Sequence, residues 1–228
     1  MTGILLVGDD AIRKSLFEAA GVVDRVQRVD SLEEAFALRS DRVRAGWAGI
    51  VVDSEHYAEA IRAAELRDGL ASAVGFADTL AFAGSLPGAY AFCARVGGVV
   101  AAFRESMGRD YALTDGAVIG SGPEAWAGLA ALTQVRVSKL TVHAEPFDAV
   151  TPAVAHRLGI DILTADADSF AAAPVIYSAR ELAVILKRPD RGLVIDESVV
   201  LHTVAAQVRL LTSKEPDMKA MRAVIAGT

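Results

Sequence analysis

The chain has 228 residues, 53% of them hydrophobic and 23% charged, with a net charge of −6. That length suits one large domain or two small ones with a substantial core. The acidic balance, without any run of Lys and Arg, excludes a nucleic-acid face, because phosphate recognition needs clustered cations. No apolar stretch is long and uncharged enough to span a membrane. The single cysteine, Cys93, excludes an internal disulfide and fits a reducing cytoplasm. MTGILLVGDD lacks the positive and long apolar regions of a secretion signal, so a cytoplasmic location is expected. Four scattered histidines and one cysteine give no metal-ligand spacing.

The predicted elements alternate strand and helix. Gly3 to Gly8 (GILLVG) is a strand, and Asp10 to Ala20 a helix with Gly21 as C-cap. Val26 to Val29 is a second strand. Ser31-Leu32-Glu33-Glu34 opens a helix with the pattern of a capping box. Gly46 to Val52 (GWAGIVV) is a third strand, followed by a helix from Ser54 to Arg67. This alternation predicts a parallel sheet. Gly69 to Gly88, rich in Gly, Ala and Ser, is expected to hold short strands or turns. A helix beginning over Gly97 to Arg104 bridges to the second half, and Gly108 to Asp115 is the linker.

The stretch from Asp115 to Glu145 then reads as strand, tight turn, helix and strand. Ala117, Val118 and Ile119 are a strand buried on both faces. Gly120-Ser121-Gly122 makes the turn. Pro123 fits the first helical position and Glu124 the first turn. Ala125, Leu129 and Leu132 share one helix face, and Lys139 to His143 is the second strand. Such a unit aims backbone N–H groups and a positive helix end at one spot, which suits a pyrophosphate. Gly120, Ser121 and Gly122 are therefore candidate cofactor-binding residues. Only two glycines of G-x-G-x-x-G are present, with Ala125 at the third position, and an ordinary βα turn is the competing reading.

Pro152 to Leu158 is a further helix, Ile160 to Thr164 and Pro174 to Ser178 are strands, Ala179 to Leu186 is a short helix and Leu193 to Ile195 a last strand. An amphipathic helix from Val199 to Leu211 and a shorter one from Pro216 to Ile225 close the chain. The predicted fold class is α/β, in two lobes with a ligand cleft between them.

The order of these features resembles shikimate dehydrogenase, which reduces 3-dehydroshikimate with NADPH. LHTVAAQVRLLTSKEPDMKAMRAVI resembles the closing helices of that family. Gly75-Phe76-Ala77-Asp78-Thr79-Leu80 resembles its G-A-V-N-T-L segment. Gly49 to Asp53 lies where the family has G-x-N-V-T-x-P-x-K, and Leu86 to Phe92 where it has L-x-G-x-N-T-D. Gly120-Ser121-Gly122 falls on its G-A-G-G loop. The resemblance implies an N-terminal substrate-binding lobe over residues 1–100 and a Rossmann-like nucleotide-binding lobe over 101–200. It also implies C-terminal helices over 201–228 that pack back on the first lobe.

The resemblance also exposes departures. The family's catalytic lysine and aspartate fall on Tyr57 and Phe92, and its N-V-T threonine falls on Asp53. The N-terminal H-S-x-S-P motif is absent, with Arg13, Lys14 and Ser15 nearby. The substrate-binding glutamine falls on Thr203 or Val204, and Gln207, about a turn later, is the candidate replacement. Where the family has N-R-T, whose arginine grips the 2′-phosphate of NADP, this chain has His143-Ala144-Glu145. A glutamate repels that phosphate and bonds ribose hydroxyls, so NAD is expected over NADP, if any dinucleotide binds.

Reduction of a ketone needs a proton donor at the developing alkoxide. Tyr57 and Asp53 are the candidates for that role, although packing in the cleft wall is the preferred reading of Tyr57 and helix capping that of Asp53 with Glu55. Two functions follow. One is a shikimate dehydrogenase-like protein that has lost the Lys–Asp pair while keeping a dinucleotide or small-acid site. The other is an active NAD(P)-dependent oxidoreductase on shikimate or a related hydroxy acid, with a replaced acid/base residue. Expected partners are small molecules rather than nucleic acid or membrane, and a homodimer is compatible with such a fold.

Overall fold

The computed structural model describes residues 2–8, 10–40, 46–82, 88–107, 115–135, 137, 139–143, 149–164, 176–178 and 196–227. The predicted helix at Ala179 to Leu186, the strand at Leu193 to Ile195 and most of the linker before Asp115 lie outside them. The chain divides into two compact units, Met1–Ala94 with Thr203–Thr228, and Arg95–His202.

In the first unit, β1 (Gly3–Val7) is buried along its whole length, as befits an apolar run with a strand on each side. α1 (Ala11–Ala19) starts at Asp10, whose carboxyl group accepts from the Arg13 N–H. β2 (Arg25–Val29) pairs with β1 in parallel. α2 (Leu32–Ser40) begins at the predicted serine. Ser31 Oγ accepts from the Glu34 N–H, and the Glu34 carboxyl group reaches back to the Asp30 N–H, one residue before the usual capping-box donor. β3 (Trp47–Val52) lies parallel to β1 on its other side.

The helix expected from Ser54 to Arg67 is interrupted. A 3₁₀ turn at Ser54–His56 leads into α3 (Tyr57–Ala63), and the backbone is already extended at Ala64. β4 (Leu66–Arg67) then pairs in parallel with Tyr90 and Ala91, so ladder bonds replace further helical ones. α4 (Gly69–Val74) is capped by the Asp68 side chain and ends at Gly75 in the left-handed region. β5 (Thr79–Phe82) and β6 (Ala89–Phe92) complete a sheet of order β2-β1-β3-β5-β6-β4. β5 runs antiparallel to both neighbours, so this sheet is mixed rather than parallel throughout. Only residues 83–88 separate β5 from β6, and a parallel crossover needs a dozen residues or more.

α5 (Ala94–Met107) follows. The second unit carries β7 (Asp115–Ile119), α6 (Gly122–Gln134), β8 (Lys139–His143), α7 (Val150–Arg157), β9 (Ile162–Thr164) and β10 (Ile176–Ser178). Its described strands are all parallel, in the order β10-β7-β8-β9. The chain closes with α8 (Asp196–Thr212) and α9 (Met218–Ala226). The Asp217 side chain caps α9, and the Asp217 N–H donates to the Ala20 carbonyl. No helix among the described residues is long and apolar enough to cross a membrane.

One buried carboxyl group joins several of these elements. Asp78 is fully buried at the entrance to β5. Its Oδ1 accepts from the Thr79 hydroxyl at 2.6 Å and from the Ala94 N–H, at the start of α5, at 2.9 Å. Its backbone accepts from the Val52 N–H and donates to the Phe92 carbonyl. Gln207, fully buried on α8, donates through Nε2 to Thr79 Oγ1 at 3.1 Å. Removing the carboxyl group strands two buried donors. Asp78→Ala is therefore expected to cost on the order of 3 kcal/mol in urea denaturation. Asp68→Ala, which removes a helix cap alone, should cost about 1 kcal/mol.

Candidate functional site

In an α/β sheet, ligands gather outside the carboxyl ends of strands where the strand order reverses. The first unit has such a point at β1, whose chain continues to β2 on one side while β3 pairs on the other. Gly8 leaves β1 there with φ +103°. A Cβ on Gly8 would lie 1.8 Å from Asp53 Oδ2, so only glycine lets that carboxyl group lie against the backbone. Asp53 leaves β3 with its N–H donated to the Val7 carbonyl.

Asp53 stands at the N-cap of the Ser54–His56 turn, yet its side chain caps no N–H. Its Oδ1 lies 2.5 Å from His56 Nδ1 instead. The expected capping role of Asp53 is thus replaced by a His–Asp pair. Both side chains are 23% exposed. On α1, Arg13 Nη1 donates to the Val52 carbonyl at 2.9 Å, and Arg13 Nε meets Asp10 Oδ2 at 3.0 Å. Gly8, Asp10, Arg13 and Val52 help line a hollow of about 10 Å³, space for one water.

Tyr57 follows His56 directly, at about 100° around the helix. It is 1% exposed, and its ring stacks on Phe76 at 5.0 Å and 18°. Phe92, at the expected aspartate position, is half-buried against Tyr90 with ring centres 4.7 Å apart. Gln207 is held beside Thr79, and its Oε1 has no hydrogen-bond partner among the described residues. Thr203 and Val204 are buried on the same helix.

The second unit has its own reversal at β7, between β10 and β8. Gly120 and Gly122 take φ +126° and +71°. Ser121 is the exposed N-cap of α6, with its side chain in no cap bond. Pro123 supplies no N–H, and Ala125 is fully buried. Glu124, an acid in this first turn, is met by Arg95 Nε at 2.6 Å, which offsets its repulsion of a phosphate. A 13-residue helix and an acid paired with Arg95 make the turn compatible with a pyrophosphate. Glu145 lies outside the described residues.

Trp126 Nε1 donates to Thr151 Oγ1 at 3.1 Å, and His202 Nε2 lies 2.5 Å from Glu105 Oε2. No group of three or more His, Cys, Asp or Glu is set to hold a metal among the described residues. Sequence reasoning missed His56. The available signal was the Asp53-x-x-His56 spacing, which puts both side chains on one side of a single turn. Tyr57 and His56 should respond unequally to truncation. Tyr57→Ala is expected to cost about 3–5 kcal/mol in urea denaturation, and His56→Ala to stay within about 1 kcal/mol.

No protein-family model matches the sequence, and no curated protein sequence matches it. Solved structures match along its whole length. Mycobacterium tuberculosis shikimate dehydrogenase aligns at 21% identity and TM-score 0.80, covering 100% of this chain and 99% of that one. Quinate dehydrogenase from Corynebacterium glutamicum, in complex with NAD, aligns at 17% and 0.82, covering 100% and 98%. Thermus thermophilus shikimate 5-dehydrogenase, in complex with NADP(H) and shikimate, aligns at 14% and 0.78, covering 100% and 99%. At these identities the likeness is one of architecture: the chain has the shikimate dehydrogenase fold, in a divergent sequence.

Proposed function

We propose that the chain is a shikimate dehydrogenase-like protein that has given up the Lys–Asp acid/base pair while keeping a nicotinamide dinucleotide site at Gly120, Ser121 and Gly122. The burial of Tyr57, stacked on Phe76 at the expected lysine position, carries this reading. A side chain 1% exposed has no surface to offer a substrate, and Phe92 has no proton to give. A bound dinucleotide would supply hydride chemistry. The three turn residues would hold its pyrophosphate, and Arg95 would offset the charge of Glu124.

NAD is the expected form, on the strength of Glu145. The neighbours support a dinucleotide without choosing one, since the C. glutamicum enzyme is in complex with NAD and the T. thermophilus enzyme with NADP(H). A small hydroxy acid is the expected second ligand; Gln207, fully buried and bonded to Thr79, offers it no more surface than Tyr57 does. A cytoplasmic location follows from the single Cys93, and a homodimer is compatible with the fold. The alternative, an active oxidoreductase with a replaced acid/base residue, gains support from Asp53 through its bond to His56 and none from Tyr57.

Calorimetric titration with NAD, NADH, NADP and NADPH tests the proposal. NAD and NADH should bind, and the phosphorylated forms at least tenfold more weakly, the size of about 1.4 kcal/mol of lost affinity. Gly122→Val, which forces a branched residue into a φ of +71° at the turn, should weaken binding by a similar factor. Failure of all four to bind would make the turn purely structural.

A further inference from the structure

We propose that β4, at the edge of the first sheet, pairs with the β4 of a second copy of this chain, antiparallel and centred on Leu66. β4 has a strand on one side only, β6. An open strand edge is a template for another strand, and proteins blunt such edges with charge and short length. This edge is short, at two residues, yet it carries Leu66, the most exposed large apolar side chain among the described residues at 51%. Its neighbours Glu65 and Arg67 are exposed as well, so the edge is open to solvent. The opposite edge of the sheet, β2, exposes no large apolar side chain.

The edge is complementary to itself. A two-fold axis at Leu66 sets residue 65 of each copy opposite residue 67 of the other. Those residues are Glu65 and Arg67, so each acid meets an arginine across the strands. Moving the axis to Glu65 or to Arg67 sets like charges face to face. Among the described residues, Glu65 and Arg67 enter no ion pair that this would break. The Glu65 carboxyl group lies over Gly88, and turning it to the partner's arginine is a rotamer change of an exposed side chain. The backbone agrees with this register. The Asp68 N–H donates inward to the Ala91 carbonyl, and successive N–H groups of a strand alternate in side, so the Arg67 N–H points outward. In an antiparallel pair centred on Leu66, that N–H reaches the Glu65 carbonyl of the other copy. The two Leu66 side chains then meet in the closer, non-hydrogen-bonded kind of pair, and each covers the other's apolar surface. Two residues per copy bury less than the roughly 1,200 Å² of a stable interface, so the dimer is weak and dissolves on dilution. The pairing does not depend on the dinucleotide site.

Sedimentation equilibrium of the full chain from about 10 μM to about 1 mM tests this. The wild type should pass from monomer towards dimer across that range. Leu66→Lys should weaken association about tenfold or more. Glu65→Arg and Arg67→Glu should each stay monomeric, because like charges then face each other at both pairs. An equimolar mixture of those two variants should dimerise as the wild type does, since every arginine again meets a glutamate. The chain carrying both substitutions should do the same. All three positions are exposed, so the circular dichroism of each variant should match the wild type. A wild type that stays monomeric at the highest concentration overturns the proposal. So does association that survives Leu66→Lys, or a mixture that sediments as its separate components do.

Discussion

A buried carboxyl group has to be satisfied where it lies, and Asp78 imposes that condition on the first unit. Its bonds to the Thr79 hydroxyl and the Ala94 N–H fix the entrance of β5 and the start of α5. Its backbone joins β3 to β6, and Thr79 passes the connection on to Gln207 of α8. Burying such a group without these partners would cost several kcal/mol, a large part of a domain's net stability. The antiparallel course of β5 follows from the same region, because it places Asp78 between Val52 and Phe92. The end of β3, which leads into Asp53 and the turn carrying His56, is therefore set from within the sheet.

Each unit repeats one architectural device. A first strand has parallel neighbours on both sides, and its chain leaves through a glycine with positive φ, Gly8 in one case and Gly120 in the other. The same device serves different chemistry. At Gly8 the missing side chain makes room for a carboxyl group, which then orients an imidazole. At Gly120 the turn leads into a helix start whose acid, Glu124, is paired with Arg95. Tyr57 and Phe92, where the resemblance implied polar residues, make ring contacts with Phe76 and Tyr90. A polar contact is found instead at His56 and Asp53, close in sequence.

Much of this was legible in the sequence because it rests on local rules. Capping at Ser31 and the buried run at Ala117–Val118 follow from residues within a few positions of one another. The pairing of Asp53 with His56 did not emerge, because aspartate at a helix start has a commoner use and nothing local says it is not taken. The end of α3 at Ala63 was hidden because pairing of Leu66 and Arg67 with β6 is a contact with residues far along the chain. The reversal of β5 was hidden in a Gly- and Ala-rich stretch with weak periodicity. The fold as a whole was reached through feature order and spacing, which survive when individual motifs do not, as the structural likeness at 14–21% identity illustrates.

The central proposal is that the chain has the shikimate dehydrogenase fold with Tyr57, where the resemblance puts the family's proton donor, buried in the core. The most direct measurement is shikimate-dependent reduction of NAD and NADP by the purified protein, followed for the wild type and for Tyr57→Phe. No turnover above background is predicted with either dinucleotide. Steady turnover that disappears in Tyr57→Phe would contradict the claim, because a proton would then be passing through a side chain assigned to packing.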